Sequence, residues 1–386
     1  MRFNPVLDKL TPYRAGPPLT EVRARYQLDR LAILSANEVP WGPFPEVVEA
    51  MKAALEQLNR YPDGACDELR SVLAQSRQVP EECFVFGNGS CELLMLLAQA
   101  FLGPQRHAIF PNPSFVMYRS IALAHGAPFT AVQLKDLDYD LDAMFAAVRE
   151  DTSLLIICNP NNPTGSYVES AALRSFVRRI PPDVVVVLDE AYGEFVTSPR
   201  QEDTSAWLVD HPNLVILHTF SKIFGLAGLR VGYGMAHPEI VQALDKVRQP
   251  FNVDSLAQVA AAASLRQPER VRERRAWVAA ERDRLAARLA AIGVSCHPSQ
   301  ANFLLVDVTH LGIPGPEVAQ ALLERGILTR SGYAMDCPGW IRVTIGEVGE
   351  GDLFLSAMAE LREAGSQSAG PHVVDGLTAE ALSPES

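Results

Sequence analysis

Two residues in this chain sit where their charge has a chemical use. Lys222 lies in HTFSKIFGLAGLRVGYG (218–234), among Phe, Ile, Leu, Ala and Gly, with no further charge until Arg230. A desolvated ammonium gives up its proton more readily, and a neutral amine can attack a carbonyl to form a Schiff base. Gly225, Ala227 and Gly228 leave room for another group to approach closely. Asp189 terminates four valines and a leucine. A carboxylate at the end of a buried strand needs a partner or takes up a proton, and a protonated ring nitrogen is one such partner. Plainer readings exist for both: a lysine snorkelling from an apolar segment, and a strand-end salt bridge or helix cap.

Three further features extend the pattern. Gly89-Ser90 precedes an apolar helix, so its N–H groups and hydroxyl can hold a phosphate at the helix N-terminus. Arg230 follows Lys222 by 8 residues and offers a charge to the same phosphate. NPNNPTG (159–165) is a turn-forming cluster whose Asn162 amide can bond a ring substituent. Alone, these are an ordinary Ser N-cap, a surface arginine and a plain loop. In combination they outline a site for a phosphorylated, nitrogen-containing aromatic aldehyde. Pyridoxal 5′-phosphate fits that description: it requires a Schiff-base lysine, an acid at its ring nitrogen and a phosphate cradle.

The elements that must position these groups are legible as short apolar runs at 83–88, 107–112, 153–160, 183–190 and 213–222. Amphipathic helical segments at 91–102, 141–150 and 169–180 alternate with them. Continuous apolar strands alternating with helices predict an α/β fold with a mostly parallel central sheet covered on both faces. Every run ends in reactive residues: Asn88-Gly89-Ser90, Pro113-Ser114-Phe115, the 159–165 turn, Asp189-Glu190, and the stretch 219–222. Ligands bind at the carboxyl ends of strands in such sheets, so one rim should carry the site. Beyond about residue 250 the texture changes to Ala-, Arg- and Leu-rich helix (256–291). Strands at 301–308 and 340–346 then flank a helix at 318–326, which predicts a smaller α+β C-terminal domain. The expected division is an N-terminal arm with part of the small domain (1–45), a large cofactor domain (46–250), the small domain (251–364) and a disordered tail (365–386).

Composition narrows the function classes. With 34 basic against 46 acidic residues the net charge is −12, which argues against nucleic acid or an anionic membrane as the main partner. Cysteines 66, 83, 91, 158, 296 and 337 are scattered without a CxxC pair or metal-ligand spacing, as in a cytosolic protein with reduced thiols. No signal core or membrane-length apolar run is present. A cytoplasmic enzyme with small-molecule substrates and no metal is expected. There is no GxSxG elbow or Walker loop.

With those motifs in place, the chain resembles fold-type-I pyridoxal-phosphate aminotransferases of the histidinol-phosphate aminotransferase family. The likeness runs over about residues 8–362, through TPYRAGPP, LSANEVPWGP, RYPDG, GNGSCELL, NPSFVMY, CNPNNPTG, LDEAYGEF, TFSKIFGLAGLRVGYG and WIRVTIG in order. The resemblance implies that Lys222 carries the Schiff base and moves protons, while Asp189 keeps the ring nitrogen protonated. It implies that Asn162 and Tyr192 bond the phenolate oxygen and Phe115 stacks on the ring. Ser90, Cys91, Thr219, Ser221 and Arg230 would hold the phosphate, with Tyr61 reaching it in the neighbouring subunit of a homodimer with shared sites. Arg342 matches the family's clamp for the donor's α-carboxylate. In WIRVTIG, Arg342 and Thr344 share one strand face, and a guanidinium suits a carboxylate bidentately. Arg330 and Tyr13, the latter from the partner subunit, match positions for the phosphate of histidinol phosphate. Asn37 joins the substrate-binding set.

The activity implied is amino transfer between histidinol phosphate and 2-oxoglutarate in histidine biosynthesis. An aromatic amino-acid aminotransferase of the same family, a pyridoxal-phosphate decarboxylase acting on an amino-acid phosphate ester, and a non-catalytic binding module are the alternatives. The module is disfavoured by the presence of both Lys222 and Asp189. Three departures from the family pattern bear on substrate choice. Trp41 follows Asn37-Glu38-Val39-Pro40 and is expected to narrow or reshape the substrate entrance; Cys91 replaces a common acidic residue; and Phe115 stands where Tyr is frequent.

Overall fold

A computed structural model describes residues 1–12 and 18–368. Its strands, in chain order, are β1 (Ala32–Ile33), β2 (Phe84–Gly87), β3 (His107–Asn112), β4 (Phe129–Gln133), β5 (Thr152–Cys158), β6 (Val185–Asp189), β7 (Leu214–Thr219), β8 (Gly232–Ala236), β9 (Cys296–His297), β10 (Phe303–Asp307), β11 (Ile327–Leu328), β12 (Arg330–Ser331) and β13 (Trp340–Thr344). Seven of them form the central sheet in the order β2-β8-β7-β6-β5-β3-β4. Only β8 runs against its neighbours, pairing antiparallel with both β2 and β7; the other pairs are parallel.

The reason for the valine run at 184–187 is burial on both faces. Val186 and Leu188 pack into one apolar cluster with Phe176, Leu214 and Ile216, while Val185 and Val187 pack into another with Leu94, Val215 and Leu217. Covering a sheet on both sides excludes polar residues from the strand interior. Polar residues therefore accumulate at its ends.

Strand direction sets the rim. β2, β3, β5, β6 and β7 share one direction, so their carboxyl ends lie together. The reversed β8 begins where they end, which brings Arg230, just before it, to the same rim. β4 and β8 were not visible as apolar runs: FTAVQ and GYGMA are too polar or too glycine-rich to stand out.

The second sheet is antiparallel, ordered β12-β13-β10-β9. The predicted helix at 318–326 forms as Gly315–Glu324, and the 256–291 stretch splits into Ser255–Leu265 and Pro268–Ala291. The N-terminal segment joins this region: β1 pairs in parallel with β11, and the Thr344 amide donates to the Leu34 carbonyl at 2.9 Å. The last helix runs Val348–Ser368, so the chain stays helical beyond the expected break at residue 365. The rest of the expected disordered tail lies outside the described residues.

Candidate active site

Alternation along β6 sends Asp189 and Glu190 to opposite sides of the sheet. Asp189 is buried; its Oδ2 accepts from the Tyr118 hydroxyl at 2.7 Å and its Oδ1 from the Ala191 amide at 3.2 Å. Burial raises the pKa of this carboxyl, and the Tyr118 hydrogen bond opposes that rise. Glu190 faces His218 at 3.4 Å, which also meets Glu194 at 3.2 Å. Glu190 therefore belongs to a buried polar cluster on the other face and not to the site.

Lys222, just past β7, donates from Nζ to the Ala36 carbonyl at 3.1 Å and lies 5.6 Å from the Tyr192 ring centroid. Burial, with the nearby Arg342 charge, lowers its pKa to about 8. The amine is thus prepared to act as nucleophile or base near neutral pH.

The phosphate candidates converge at the start of the helix Ser90–Phe101. Gly89 precedes it at φ +73°, and a Cβ there would come within 2.7 Å of Arg230 Nη2. Arg230 donates from Nη1 to Ser221 Oγ at 3.1 Å, and Thr219 Oγ1 accepts from the Ser221 amide at 3.1 Å. A Cβ on Gly232 would sit 2.8 Å from the Ser90 nitrogen, so β8 packs tightly beneath this helix start. The partly buried Cys91 thiol reports the convergence. Burial and then the Asp189 carboxylate raise its pKa, while Arg230 and Lys222 lower it. Carboxylate, amine and guanidinium therefore all act on one sulfur.

This donor set suits pyridoxal 5′-phosphate. A helix N-terminus, hydroxyls and a guanidinium match a dianionic phosphate. The desolvated carboxylate matches a protonated ring nitrogen, and the low-pKa amine matches the aldehyde.

On the substrate side, Asn162 Oδ1 accepts from Arg342 Nη1 at 2.6 Å, and Arg342 Nη2 donates to the Ser35 carbonyl at 2.7 Å. Arg330 lies opposite Arg342 in the β12–β13 register. The Tyr192 oxygen accepts from Asn37 Nδ2 at 2.9 Å, and its ring packs edge-on against Phe303 at 5.2 Å. Burial raises the Tyr192 pKa, which keeps the phenol protonated. Asn37, expected to touch substrate, is 0% exposed and has its amide engaged with Tyr192 and Thr344. Phe115 packs edge-on against Tyr118 at 5.7 Å, beside the Asp189 partner.

Two residues were expected to serve the neighbouring subunit's site. Tyr61 is 83% exposed and stacks on Phe251 at 4.9 Å, and Tyr13 lies outside the described residues. The Trp41 indole packs edge-on against Trp277 at 4.7 Å with Arg274 at 5.5 Å. It is the backbone of Trp41 and Gly42 that approaches the lysine loop: a Cβ at Gly225, φ +72°, would come within 2.9 Å of both carbonyls.

Sequence reasoning missed Tyr118 and Asn161. Tyr118 falls one turn after Phe115, and that i,i+3 spacing was the available signal. Asn161 accepts from Ser114 Oγ at 2.7 Å and donates to the Pro113 carbonyl at 3.1 Å, tying the 159–165 turn to the loop after β3.

Fold and donor set are those of a pyridoxal 5′-phosphate-dependent transferase. The family model for aminotransferase class I and II matches residues 30–355. A histidinol-phosphate aminotransferase of Halalkalibacterium halodurans is 39% identical over 361 residues, 94% of this chain and 97% of the relative. One from Brevibacillus brevis is 42% identical over 349 residues, 90% and 95% of the two chains. The crystal structure of histidinol-phosphate aminotransferase from Sinorhizobium meliloti in complex with pyridoxal-5′-phosphate has a TM-score of 0.84 at 28% identity, covering 94% of this chain and 98% of that one. Aspartate aminotransferase from Thermus thermophilus shares the fold, with a TM-score of 0.82 at 24% identity, covering 94% and 100%. The chain belongs to the histidinol-phosphate aminotransferase family of class I and II aminotransferases, and its cofactor is pyridoxal 5′-phosphate.

Proposed function

We propose that this enzyme moves an amino group reversibly between glutamate/2-oxoglutarate and histidinol phosphate/imidazole acetol phosphate, as a step of histidine biosynthesis. The observation that carries the substrate reading is the Arg330–Arg342 pair, two arginines in register on adjacent strands. One carboxylate needs one guanidinium fork, whereas a substrate phosphate brings a second negative charge for the other.

Bound pyridoxal 5′-phosphate supplies an electron sink for the substrate's Cα electrons. Lys222 Nζ, with its pKa of about 8, accepts the Cα proton and returns it during the transfer. Asp189, held by Tyr118 and Ala191, keeps a proton on the ring nitrogen. Asn162 and Tyr192 would donate to the phenolate oxygen, and Ser90, Cys91, Thr219, Ser221 and Arg230 would hold the phosphate. Arg342 orients the carboxylate of the amino donor.

Tyr61, exposed on its own chain, together with Tyr13 completes the neighbouring site in a homodimer. The six cysteines are all free, which supports a cytoplasmic enzyme; among the described residues no helix is long and apolar enough to cross a membrane.

The test is a half-reaction assay. The aldehyde-form enzyme is mixed with one amino donor at a time and the cofactor spectrum is followed. Histidinol phosphate and glutamate should convert it rapidly, and Arg330→Ala should impair histidinol phosphate far more than glutamate. Good conversion by phenylalanine or tyrosine with none by histidinol phosphate would move the assignment to an aromatic aminotransferase. Carbon dioxide release without a keto acid would move it to a decarboxylase.

A further inference from the structure

We infer that Asn37 is a positioning residue: its amide fixes the direction of the Tyr192 O–H proton, so that the phenol can only donate into the cofactor site. The local geometry determines which end of the amide does what. Asn37 is buried at φ +56°, a conformation that Asn tolerates better than most residues. Its backbone amide donates to Thr344 Oγ1 at 2.9 Å, and the Thr344 hydroxyl donates back to Asn37 Oδ1 at 3.3 Å. Asn302 Nδ2 donates to the Asn37 carbonyl at 3.0 Å and fixes the backbone from a third side.

With Oδ1 taking the Thr344 proton, Nδ2 is the end that meets the Tyr192 oxygen, at 2.9 Å. An amide NH₂ has protons to give and no lone pair to accept one. A phenol oxygen that accepts from Asn37 must therefore turn its own proton away from it. The Tyr192 ring lies beside Lys222 Nζ, so the site is where that proton can be used. Thr344 stands in the same strand as Arg342. The orientation of a cofactor contact is thereby tied to the strand that carries the proposed substrate clamp.

This inference rests on the proposed reading of Tyr192 as donor to the phenolate oxygen. The experiment separates the two by titrating the visible absorption of the cofactor-loaded enzyme with pH, without substrate. A donor on the phenolate oxygen lowers its basicity, and with it the pH at which the lysine–cofactor linkage loses its proton. Tyr192→Phe should raise that midpoint. Asn37→Asp keeps the side-chain size, the tolerance of positive φ and the oxygen facing Thr344, but replaces a donor by an acceptor that draws the Tyr192 proton back. We expect an upward shift of about one pH unit, and no further shift when Asn37→Asp is added to Tyr192→Phe.

Two outcomes would overturn the inference: an unmoved midpoint in Asn37→Asp while Tyr192→Phe shifts it, or equal shifts from Asn37→Asp with and without the phenol, which would indicate charge acting through space. An unmoved midpoint in Tyr192→Phe would sink the reading of Tyr192, and this inference with it. Should Asn37→Asp fail to fold, Asn37→Gly replaces it; its expected shift is smaller, upward, and absent on the Tyr192→Phe background, and a shift that survives there overturns the inference.

Discussion

Tyr118 donates its hydroxyl proton to Asp189 Oδ2 across 2.7 Å, and both side chains are buried. Burial raises the carboxyl pKa and this hydrogen bond restrains the rise. In Tyr118→Phe the carboxyl should therefore protonate at higher pH. The acid limb of the kcat/KM profile is expected to move up by about one unit, within the range that a hydrogen bond to a charged group supplies. Activity well above that limb should be much less affected. A uniform fall across the whole profile would mean that Tyr118 contributes packing alone.

Lys222 has a double signature because its pKa is lowered from 10.5 to about 8. In the cofactor-free protein, attachment of pyridoxal 5′-phosphate requires the neutral amine, so its rate should climb with pH and level off above about 8. The stability effect has a defined sign. The folded state disfavours the ammonium, so the destabilisation is fully present below about 8 and fades between there and 10.5. Cofactor-free Lys222→Met should melt at a higher temperature than the parent at pH 7, with the gap closing as pH rises. Solvent access at this half-buried group keeps the gap modest. The same variant should show no transamination, and turnover at the parent rate would contradict the role of Lys222.

Much of the site was readable in the chain because strand ends are where polar residues concentrate in a sheet buried on both faces. Asp189, Lys222, Ser90 and Asn162 all announced themselves as polar groups bordering apolar runs, and the structure places them around one rim. What stayed hidden was carried by backbone or by distant pairing. The carbonyls of Ser35 and Ala36, which accept from Arg342 and Lys222, have no side-chain signature at all. The Asn37–Tyr192 contact joins residues 155 positions apart, and no local periodicity reports such a pair. β8 was missed because glycines at 232 and 234 replace the expected apolar residues. The close approach of the Ser90 nitrogen at Gly232 explains the first of them.

Gly89 should be intolerant of even a methyl group. Its φ of +73° is costly for any L side chain, and the added carbon would press on Arg230 Nη2 at 2.7 Å. Gly89→Ala is expected to weaken cofactor affinity by about tenfold or more, on the order of 1–3 kcal/mol of local strain. The measurement is cofactor binding followed by fluorescence quenching in the cofactor-free protein. Unchanged affinity would show that the helix start does not hold the phosphate.

Arg342 distinguishes charge from geometry. Its two terminal nitrogens point in different directions, Nη1 to Asn162 at 2.6 Å and Nη2 to the Ser35 carbonyl at 2.7 Å, so the planar fork spans two elements at once. Arg342→Lys keeps a positive charge but cannot make both contacts while also meeting a carboxylate bidentately. The KM for glutamate and for 2-oxoglutarate should rise by about a hundredfold, corresponding to roughly 2–3 kcal/mol for charge-assisted hydrogen bonds. Because Asn162 loses its anchor, the spectrum of the bound cofactor should shift even without substrate. A variant with raised KM and an unaltered cofactor spectrum would confine Arg342 to substrate binding, and one with neither change would remove it from the site.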